Sequence, residues 1–325
     1  MLALTLLLLT GQDSMPPRPA PPPPRWLGLI GAYAWERDTV QVYEAGGKLV
    51  AWLPPHPAYP LVEASESVFT FPQRGPFDAE RLIFRRGVVQ AGLVTLRRLQ
   101  LGPAEGGQLR LTPVRPVADL LREARTAAPP RDSGETLRPD LLDVTTLDST
   151  IRLDIRYATT NNFLSSAFYS SPRAFLQRPA AEALARAHVT LRAMGYGLLI
   201  HDAYRPWYVT KVFWDATPAV SRWLVANPAR GSKHNRGAAV DLTLYDLRTG
   251  QPVEMPSTYD EASPRAESDY RGGTARQRWH RALLRRVMEA EGFAVNPREW
   301  WHFDYRDWRR YPILNVRFEE LGQRH

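Results

Sequence analysis

The chain of 325 residues contains no cysteine. Disulfide bonds, thiolate catalysis, cysteine zinc ligands and a lipid-modified cysteine anchor are therefore excluded. A dense basic tract is also missing, because the net charge of +8 comes from arginines scattered singly or in pairs. We therefore expect no nucleic-acid partner. The positive charge suits an anionic partner such as a cell-wall polymer or a membrane surface, without choosing between them.

Long apolar runs are missing except at the start of the chain. Residues 1–10 are nearly all leucine, alanine and threonine. This run is too short to span a bilayer but matches the apolar part of a signal peptide, although the usual preceding basic residues are missing. Residues 16–24 are almost all proline and favour an extended spacer. We predict an export signal and spacer within residues 1–25, and a periplasmic or extracellular protein, with a cytoplasmic one as the alternative.

The rest of the chain divides into two predicted domains. Residues 26–116 contain short strand-like segments separated by turns, and Gly46 and Gly47 lie between two of them as in a hairpin. They predict a small all-β, barrel-like accessory domain. Residues 117–140 begin with a short helical pattern and continue as a linker rich in proline, aspartate, serine and glycine.

Residues 141–325 mix helical and strand patterns without regular alternation, which predicts an α+β domain with a central antiparallel sheet. The predicted elements are a helix over residues 179–194, a strand over 197–200, a helix from Pro206 with apolar residues as far as Trp223 and Leu224, a strand over 240–244, and a helix from Thr274 to Gly292.

Two short segments carry residues suited to metal chemistry. Ser-Lys-His-Asn-Arg-Gly-Ala-Ala-Val-Asp spans residues 232–241, and Glu-Trp-Trp-His spans residues 299–302. Two imidazoles and one carboxylate, from His234, Asp241 and His302, would bind one zinc ion per chain and leave a fourth position open for water. On a helical turn or tight loop, Glu299 would lie close to that water. The alternative interpretation is two unrelated histidines.

Further blocks extend the pattern. Residues 154–163 read Asp-Ile-Arg-Tyr-Ala-Thr-Thr-Asn-Asn-Phe, residues 202–206 read Asp-Ala-Tyr-Arg-Pro, and Met255 is followed by Tyr259-Asp260. With the two metal segments, these ordered blocks make residues 141–310 resemble the zinc D-alanyl-D-alanine dipeptidases of the vancomycin-resistance type, peptidase family M15. That family is related to the D,D- and L,D-carboxypeptidases of cell walls. The resemblance implies a zinc D,D-dipeptidase domain over residues 141–325.

The resemblance also implies roles for two catalytic residues. Glu299 matches the general base of the family, and Arg205 matches the arginine that stabilises the oxyanion. Asp202 would orient Arg205, or else the two form only a structural ion pair.

Substrate contacts are implied at three further positions. Tyr157 and Asp260 match contacts to the free amino terminus of the substrate, and Ser232 matches a substrate-contacting serine. A buried Asp260 would favour a free ammonium over a blocked one, whereas the alternative for Asp260 is a solvated loop acid.

We therefore predict zinc-dependent hydrolysis of D-alanyl-D-alanine or similar D-configured dipeptides, with a small peptide as substrate and cell-wall association through the β domain. The nearest alternative is a zinc D,D- or L,D-carboxypeptidase that trims peptidoglycan stem peptides. A second alternative is a non-catalytic zinc-binding wall protein, against which the presence of Glu299 argues.

Overall fold

The computed structural model describes residues 15–103 and 108–321. The predicted export signal lies outside the described residues. Across the part of the chain that is described, no helix has the length and apolar character needed to cross a membrane.

The N-terminal domain is a single antiparallel sheet of nine strands in the order β4-β3-β2-β1-β9-β8-β7-β6-β5. Its two outer strands follow each other along the chain, so the sheet nearly closes into a barrel. The strands are β1 Gly31–Trp35, β2 Asp38–Ala45, β3 Lys48–Trp52, β4 Tyr59–Pro60, β5 Val62–Ser65, β6 Val68–Thr70, β7 Arg81–Arg85, β8 Val88–Ala91 and β9 Val94–Arg98.

The hairpin predicted at Gly46 and Gly47 is confirmed. These residues join β2 to β3 with φ angles of 56° and 72°, a left-handed conformation that glycine adopts without strain. Alternate residues of β2 point inward, and Val40 and Val42 are buried in the barrel interior. The barrel-like, all-β prediction agrees with this architecture.

The C-terminal domain is built on a five-stranded sheet in the order β11-β13-β14-β16-β15. The prediction of an antiparallel sheet is correct for four strands and wrong for β11, which pairs parallel to β13. A separate antiparallel pair joins β10 to β12. The strands are β10 Leu141–Asp143, β11 Arg152–Leu153, β12 Phe175–Gln177, β13 Tyr196–Asp202, β14 Ala239–Asp246, β15 Phe293–Asn296 and β16 Glu299–Tyr305.

Five α-helices are described, and their ends follow from local sequence. Thr274 and Gln277 form a reciprocal capping box at the start of the last helix. Gly195, with φ of 87°, follows the third helix and permits the turn into β13. The helices are α1 Pro24–Leu27, α2 Val117–Ala124, α3 Arg178–Ala193, α4 Trp207–Ala216 and α5 Ala275–Ala290.

The helix predicted from Pro206 is shorter than its apolar pattern indicated. It ends at Ala216, because Thr217 precedes Pro218 and adopts an extended conformation. A short 3-10 helix, Ala219–Leu224, follows, and the side chain of Trp223 is 64% exposed. The predicted apolar face therefore does not continue to Trp223.

The predicted boundary between the domains also needs correction. Leu109 and Leu111, assigned from sequence to the β domain, pack against the core of the C-terminal domain. Helix α2, assigned to the linker over residues 117–140, buries Leu120 in that same core. Asp132 accepts hydrogen bonds from Arg236 and from the backbone N–H of Ile313. Most of this segment therefore belongs to the C-terminal domain, because its apolar residues are buried there.

The barrel contacts the C-terminal domain at the start of α5. The Glu44 side chain is only 2% exposed and accepts a 2.7 Å hydrogen bond from the backbone N–H of Ala275, while Arg278 donates to the Glu44 carbonyl. A carboxylate at a helix N-terminus accepts a hydrogen bond from a backbone N–H that has no partner within the helix, and its negative charge interacts favourably with the positive end of the helix dipole. Glu44 therefore links the two domains.

Residues 16–23 of the proline-rich segment form no helix or strand, and they are not a free spacer. Trp279 donates a 2.7 Å hydrogen bond to the carbonyl of Pro16, and Arg276 donates a 3.0 Å hydrogen bond to that of Pro19. Proline carbonyls have no partner within an extended segment, so these side chains of α5 hold it against the C-terminal domain.

Candidate active site

His234 lies in a single 3-10 turn, His234–Arg236, that leads into β14. The turn ends at Gly237, which has φ of 61°, and a Cβ atom there would overlap the Cδ2 atom of Leu141. Glycine adopts this conformation without strain, and any larger residue would also displace the Leu141 side chain. The small residues that follow His234 therefore allow a loop histidine to approach the strand that carries Asp241.

Asp241 and His302 are directly opposite each other on β14 and β16. Residues paired across antiparallel strands project from the same face of the sheet with their Cβ atoms about 5 Å apart. The two halves of the sequence pattern meet through this pairing, and the side chain of each residue is buried.

Glu299 begins strand β16 and does not lie on the helical turn or tight loop expected from sequence. Residues three apart on a regular strand face opposite sides. Here the pairing of β15 with β16 is irregular, because Val295 pairs with Phe303 while the next residue, Asn296, pairs with Glu299. This irregularity brings Glu299 Oε2 within 3.8 Å of His302 Nδ1.

Three atoms converge on one point. His302 Nδ1 lies 2.9 Å from Asp241 Oδ1 and 3.1 Å from His234 Nε2, and His234 Nε2 lies 3.3 Å from Asp241 Oδ1. Tetrahedral bonds of about 2.0–2.1 Å to zinc place neighbouring ligand atoms roughly 3.3 Å apart. The spacing of this group fits a metal ion of that size.

The outer nitrogen of each ring fixes which atom faces the centre. His234 Nδ1 lies 2.7 Å from the carbonyl of Ala203, which can only accept, so this nitrogen carries the proton. His302 Nε2 lies 2.9 Å from the Asp304 carboxylate. In the neutral form of each ring, the inward-facing nitrogen is therefore an unprotonated acceptor, as a metal ligand must be.

The electrostatics of the group also favour a positive charge at its centre. Burial raises the pKa of Asp241, but the two histidines outweigh burial and hold it well below its usual range. Burial opposes protonation of His302, yet hydrogen bonds to Asp241 and Asp304 raise its pKa to about 10. A proton or a metal cation can supply this charge, and the two compete for the same atoms.

Arg205 follows β13 and extends into the same cavity. Its Nε and Nη2 atoms donate to one oxygen of Asp202 at 2.9 and 2.7 Å, and Tyr169 donates to the other oxygen at 2.7 Å. The guanidinium also lies over the rings of Tyr157 and Phe213, at 5.2 and 5.0 Å from the ring centres. These contacts hold Arg205 in one orientation.

Asp260 and Tyr157 form a polar pair in the cavity wall. Tyr157 is buried and donates a 2.8 Å hydrogen bond to Asp260. Asp260 has φ of 58°, a conformation that costs a non-glycine residue energy and is common at functional sites. Burial, followed by the charge of Asp241, raises the pKa of Asp260 to about 8. It is therefore not the solvated loop acid that the sequence left as an alternative.

The predicted site residues line one cavity of about 380 Å³. Ser232 lies on its wall, and the Ser232 hydroxyl accepts a 3.2 Å hydrogen bond from the backbone N–H of His234, which leaves its own proton to donate. Asp202 lies behind Arg205 and is fully buried. Nearly all of the residues predicted separately are thus exposed to the same space: Tyr157, Arg205, Ser232, His234, Asp241, Asp260, Glu299 and His302.

Three residues of the site were missed from sequence. Asp304 holds the outer nitrogen of His302, Tyr259 donates a 3.0 Å hydrogen bond to Asp241, and Asn296 donates a 2.9 Å hydrogen bond to Glu299. Tyr259 adjoins Asp260 in a block that carries the resemblance but was given no role. Asp304 lies two residues after His302, which on a strand puts both side chains on one face.

Known proteins are similar to this chain over most of its C-terminal domain. A family model described as peptidase M15, D-Ala-D-Ala dipeptidase, matches residues 138–320. A D-alanyl-D-alanine dipeptidase of Escherichia coli K12 is 31% identical over 179 residues, which cover 55% of this chain and 91% of that protein. One from Enterococcus faecium is 34% identical over 178 residues, covering 48% and 87%. One from Enterococcus faecalis is 33% identical over 189 residues, covering 52% and 92%. The chain therefore belongs to the D-Ala-D-Ala dipeptidase family of M15 peptidases.

Proposed function

We propose that this protein is a zinc-dependent dipeptidase that hydrolyses D-alanyl-D-alanine or similar D-configured dipeptides. The observation that carries the proposal is the convergence of His234, Asp241 and His302, with inward-facing lone pairs, in the cavity that also holds Glu299. The names of the relatives support the choice of substrate.

Zinc held by these three ligands would acidify a bound water and polarise the scissile carbonyl. Glu299 takes the proton of the attacking water and passes it to the leaving amine. Burial raises the pKa of Glu299, which favours holding the proton between the two transfers. Asn296 holds the carboxylate in place through its 2.9 Å hydrogen bond.

Arg205 stabilises the negative charge that develops on the carbonyl oxygen. A guanidinium held in one orientation by Asp202 and two aromatic rings needs no rearrangement as that charge forms. The structural ion pair and the catalytic role are therefore compatible. Asp202 is a positioning residue, because Arg205 lies between it and the cavity.

Asp260 binds the free ammonium of the substrate, together with the hydroxyl of Tyr157. Both groups line the cavity, and a carboxylate there binds a charged amine more tightly than a blocked one. The hydroxyl of Ser232 donates a hydrogen bond to the substrate backbone. The site therefore selects a substrate that begins at its own amino terminus.

A substrate panel tests the proposal. Free D-Ala-D-Ala, its N-acetyl form and L-Ala-L-Ala would be assayed with zinc and after chelation. We expect rapid cleavage of the free D-dipeptide only, abolished by chelation and restored by zinc. Comparable cleavage of the N-acetyl peptide would instead indicate the carboxypeptidase alternative. Zinc binding without any cleavage would indicate the non-catalytic alternative.

The proposal also includes export and association with the cell wall through the barrel. The apolar start of the chain supports export, and no strand of the barrel contributes to the cavity lining, which supports a separate role for this domain. Sequencing the N-terminus of the mature protein tests export. Co-sedimentation of the full chain with peptidoglycan tests wall binding, and a protein that stays in the supernatant would contradict it.

A further inference from the structure

The charges that line the cavity can be accounted for one by one. Of the acids, Asp241 faces the two histidines, and Glu261 accepts hydrogen bonds of 2.7 and 2.9 Å from Arg265. Glu299 is the proposed base. Asp260 is the remaining acid, and the hydrogen bond that it accepts comes from the neutral Tyr157 hydroxyl. Besides the proposed base, the wall therefore offers one acid that has no cationic partner among the described residues.

The basic residues that line the cavity can be assigned to partners in the same way. Arg205 is paired with Asp202, and Lys233 is paired with Asp304. Arg298 also lines the cavity, and within residues 15–103 and 108–321 its guanidinium makes no hydrogen bond or ion pair. A zwitterionic dipeptide carries one ammonium and one carboxylate. The cavity offers a group of opposite sign for each, Asp260 in its ionised form and Arg298.

We propose that Arg298 binds the C-terminal carboxylate of the substrate and so determines specificity for a free dipeptide acid. This inference rests on the proposed dipeptidase activity. With Asp260 at the amino end and Arg298 at the carboxyl end, the site recognises both charged termini, so it excludes peptides extended or blocked at either end. A guanidinium suits this task because it binds a carboxylate through two parallel hydrogen bonds.

The position of Arg298 in the chain agrees with this role. It directly precedes Glu299, in the turn between β15 and β16. Glu299 delivers its proton to the leaving amine, and in the leaving amino acid the carboxylate is attached to the carbon that bears that amine. A cavity-lining cation next to the base in the chain is therefore suited to reach the carboxylate of the leaving amino acid.

Two other residues could be considered for the same task. The charge of Lys233 is already neutralised by Asp304, which in turn holds the metal-facing orientation of His302. Ser232 can donate one hydrogen bond to a carboxylate but carries no charge to balance it. Among the described residues, Arg298 is the cation of the cavity wall whose charge is not balanced by an acidic side chain.

Wild type and Arg298→Gln would be compared on D-Ala-D-Ala and on its C-terminal amide. We expect wild type to prefer the free acid, and the variant to raise KM for the acid about tenfold with little change in kcat, as for loss of a charged hydrogen bond. Hydrolysis of the amide should stay unchanged, which also shows that the variant is folded. Arg298→Lys should restore part of the preference for the acid over the amide. In the wild type, this preference should become smaller at high salt.

Arg286→Gln, an exposed arginine on α5 outside the cavity, is the matched control and should behave as wild type. An Arg298→Gln variant that keeps the wild-type preference for the acid would overturn the inference while leaving the dipeptidase proposal intact. Equal loss on acid and amide would overturn it as well. Failure of wild type to cleave either compound would overturn the dipeptidase proposal itself.

Discussion

His234 Nε2 and His302 Nδ1 face each other at 3.1 Å. In the neutral form of each ring the proton is on the outer nitrogen, so neither of these two nitrogens can donate to the other. Two lone pairs at this distance repel each other unless a cation lies between them. The Asp241 carboxylate, 2.9 Å from His302 Nδ1, adds a negative charge at the same point. The polar centre of the domain is therefore built around a positive charge.

Replacing Asp304 by alanine should weaken zinc binding by about 10- to 100-fold, because the carboxylate that orients His302 is lost. A chelator competition titration measures this change. Asp307→Ala, in the turn after β16, removes a nearby carboxylate that does not contact His302 and should leave the affinity unchanged. Equal affinities for wild type and the Asp304 variant would argue against this orienting role.

Glu299→Gln should lower kcat by about 10²- to 10⁴-fold, since an amide cannot accept the proton of the attacking water. Zinc content should stay at the wild-type level, because the metal ligands are untouched. Metal analysis and steady-state kinetics on the same preparation separate these effects. Glu289→Gln, on the exposed side of α5, serves as the control. Undiminished turnover in the Glu299 variant would remove this residue from the mechanism.

The KM for D-Ala-D-Ala should depend on pH through Asp260. Burial and the charge of Asp241 raise its pKa to about 8, so at lower pH the group is protonated and loses its attraction for an ammonium. KM should therefore fall by up to about tenfold per pH unit as pH rises toward 8, and rise again once the α-amino group of the substrate, with a pKa of about 8, deprotonates.

Asp260→Asn is the matched variant for this pH profile. The KM of this variant should be high and should not fall as the pH rises toward 8. The rise in KM above pH 8 should persist, because it comes from deprotonation of the substrate. A wild-type KM that is flat between pH 6 and 8, or a variant KM that still falls toward pH 8, would show that Asp260 does not bind the ammonium.

Gly237→Ala should lower the free energy of unfolding by about 2–4 kcal/mol, from left-handed strain combined with the clash against Leu141. Gly195 has a similar conformation, with φ of 87°, but open space around it, so Gly195→Ala should cost only about 1–2 kcal/mol. Thermal unfolding of both variants measures the difference. Identical losses would mean that the contact with Leu141 contributes nothing.

The ligand set could be predicted because its residue types and short spacings are properties of the chain itself. The position of Glu299 could not, since it depends on how β16 pairs with β15, and no local pattern encodes that irregular register. Likewise, the role of Asp304 depends on which ring nitrogen of His302 faces the metal. The prediction of a helical turn or tight loop at Glu299 was wrong for this reason.

The domain boundaries were harder to predict for a different reason. Proline-rich and polar segments look like linkers in isolation, yet the carbonyl of Pro16 is bound by Trp279, and Leu120 is buried in the core of the C-terminal domain. Such contacts link residues far apart in sequence, and composition carries no trace of them. The same holds for Glu44, whose buried carboxylate joins the barrel to α5.

Titrating metal-free protein with zinc, while measuring D-alanine released from D-Ala-D-Ala, tests the central claim most directly. Activity should rise in proportion to added zinc and reach a plateau at one ion per chain, and Glu299→Gln should bind the same amount without turnover. Full activity in the metal-free protein, or saturation with zinc without release of D-alanine, would contradict the account.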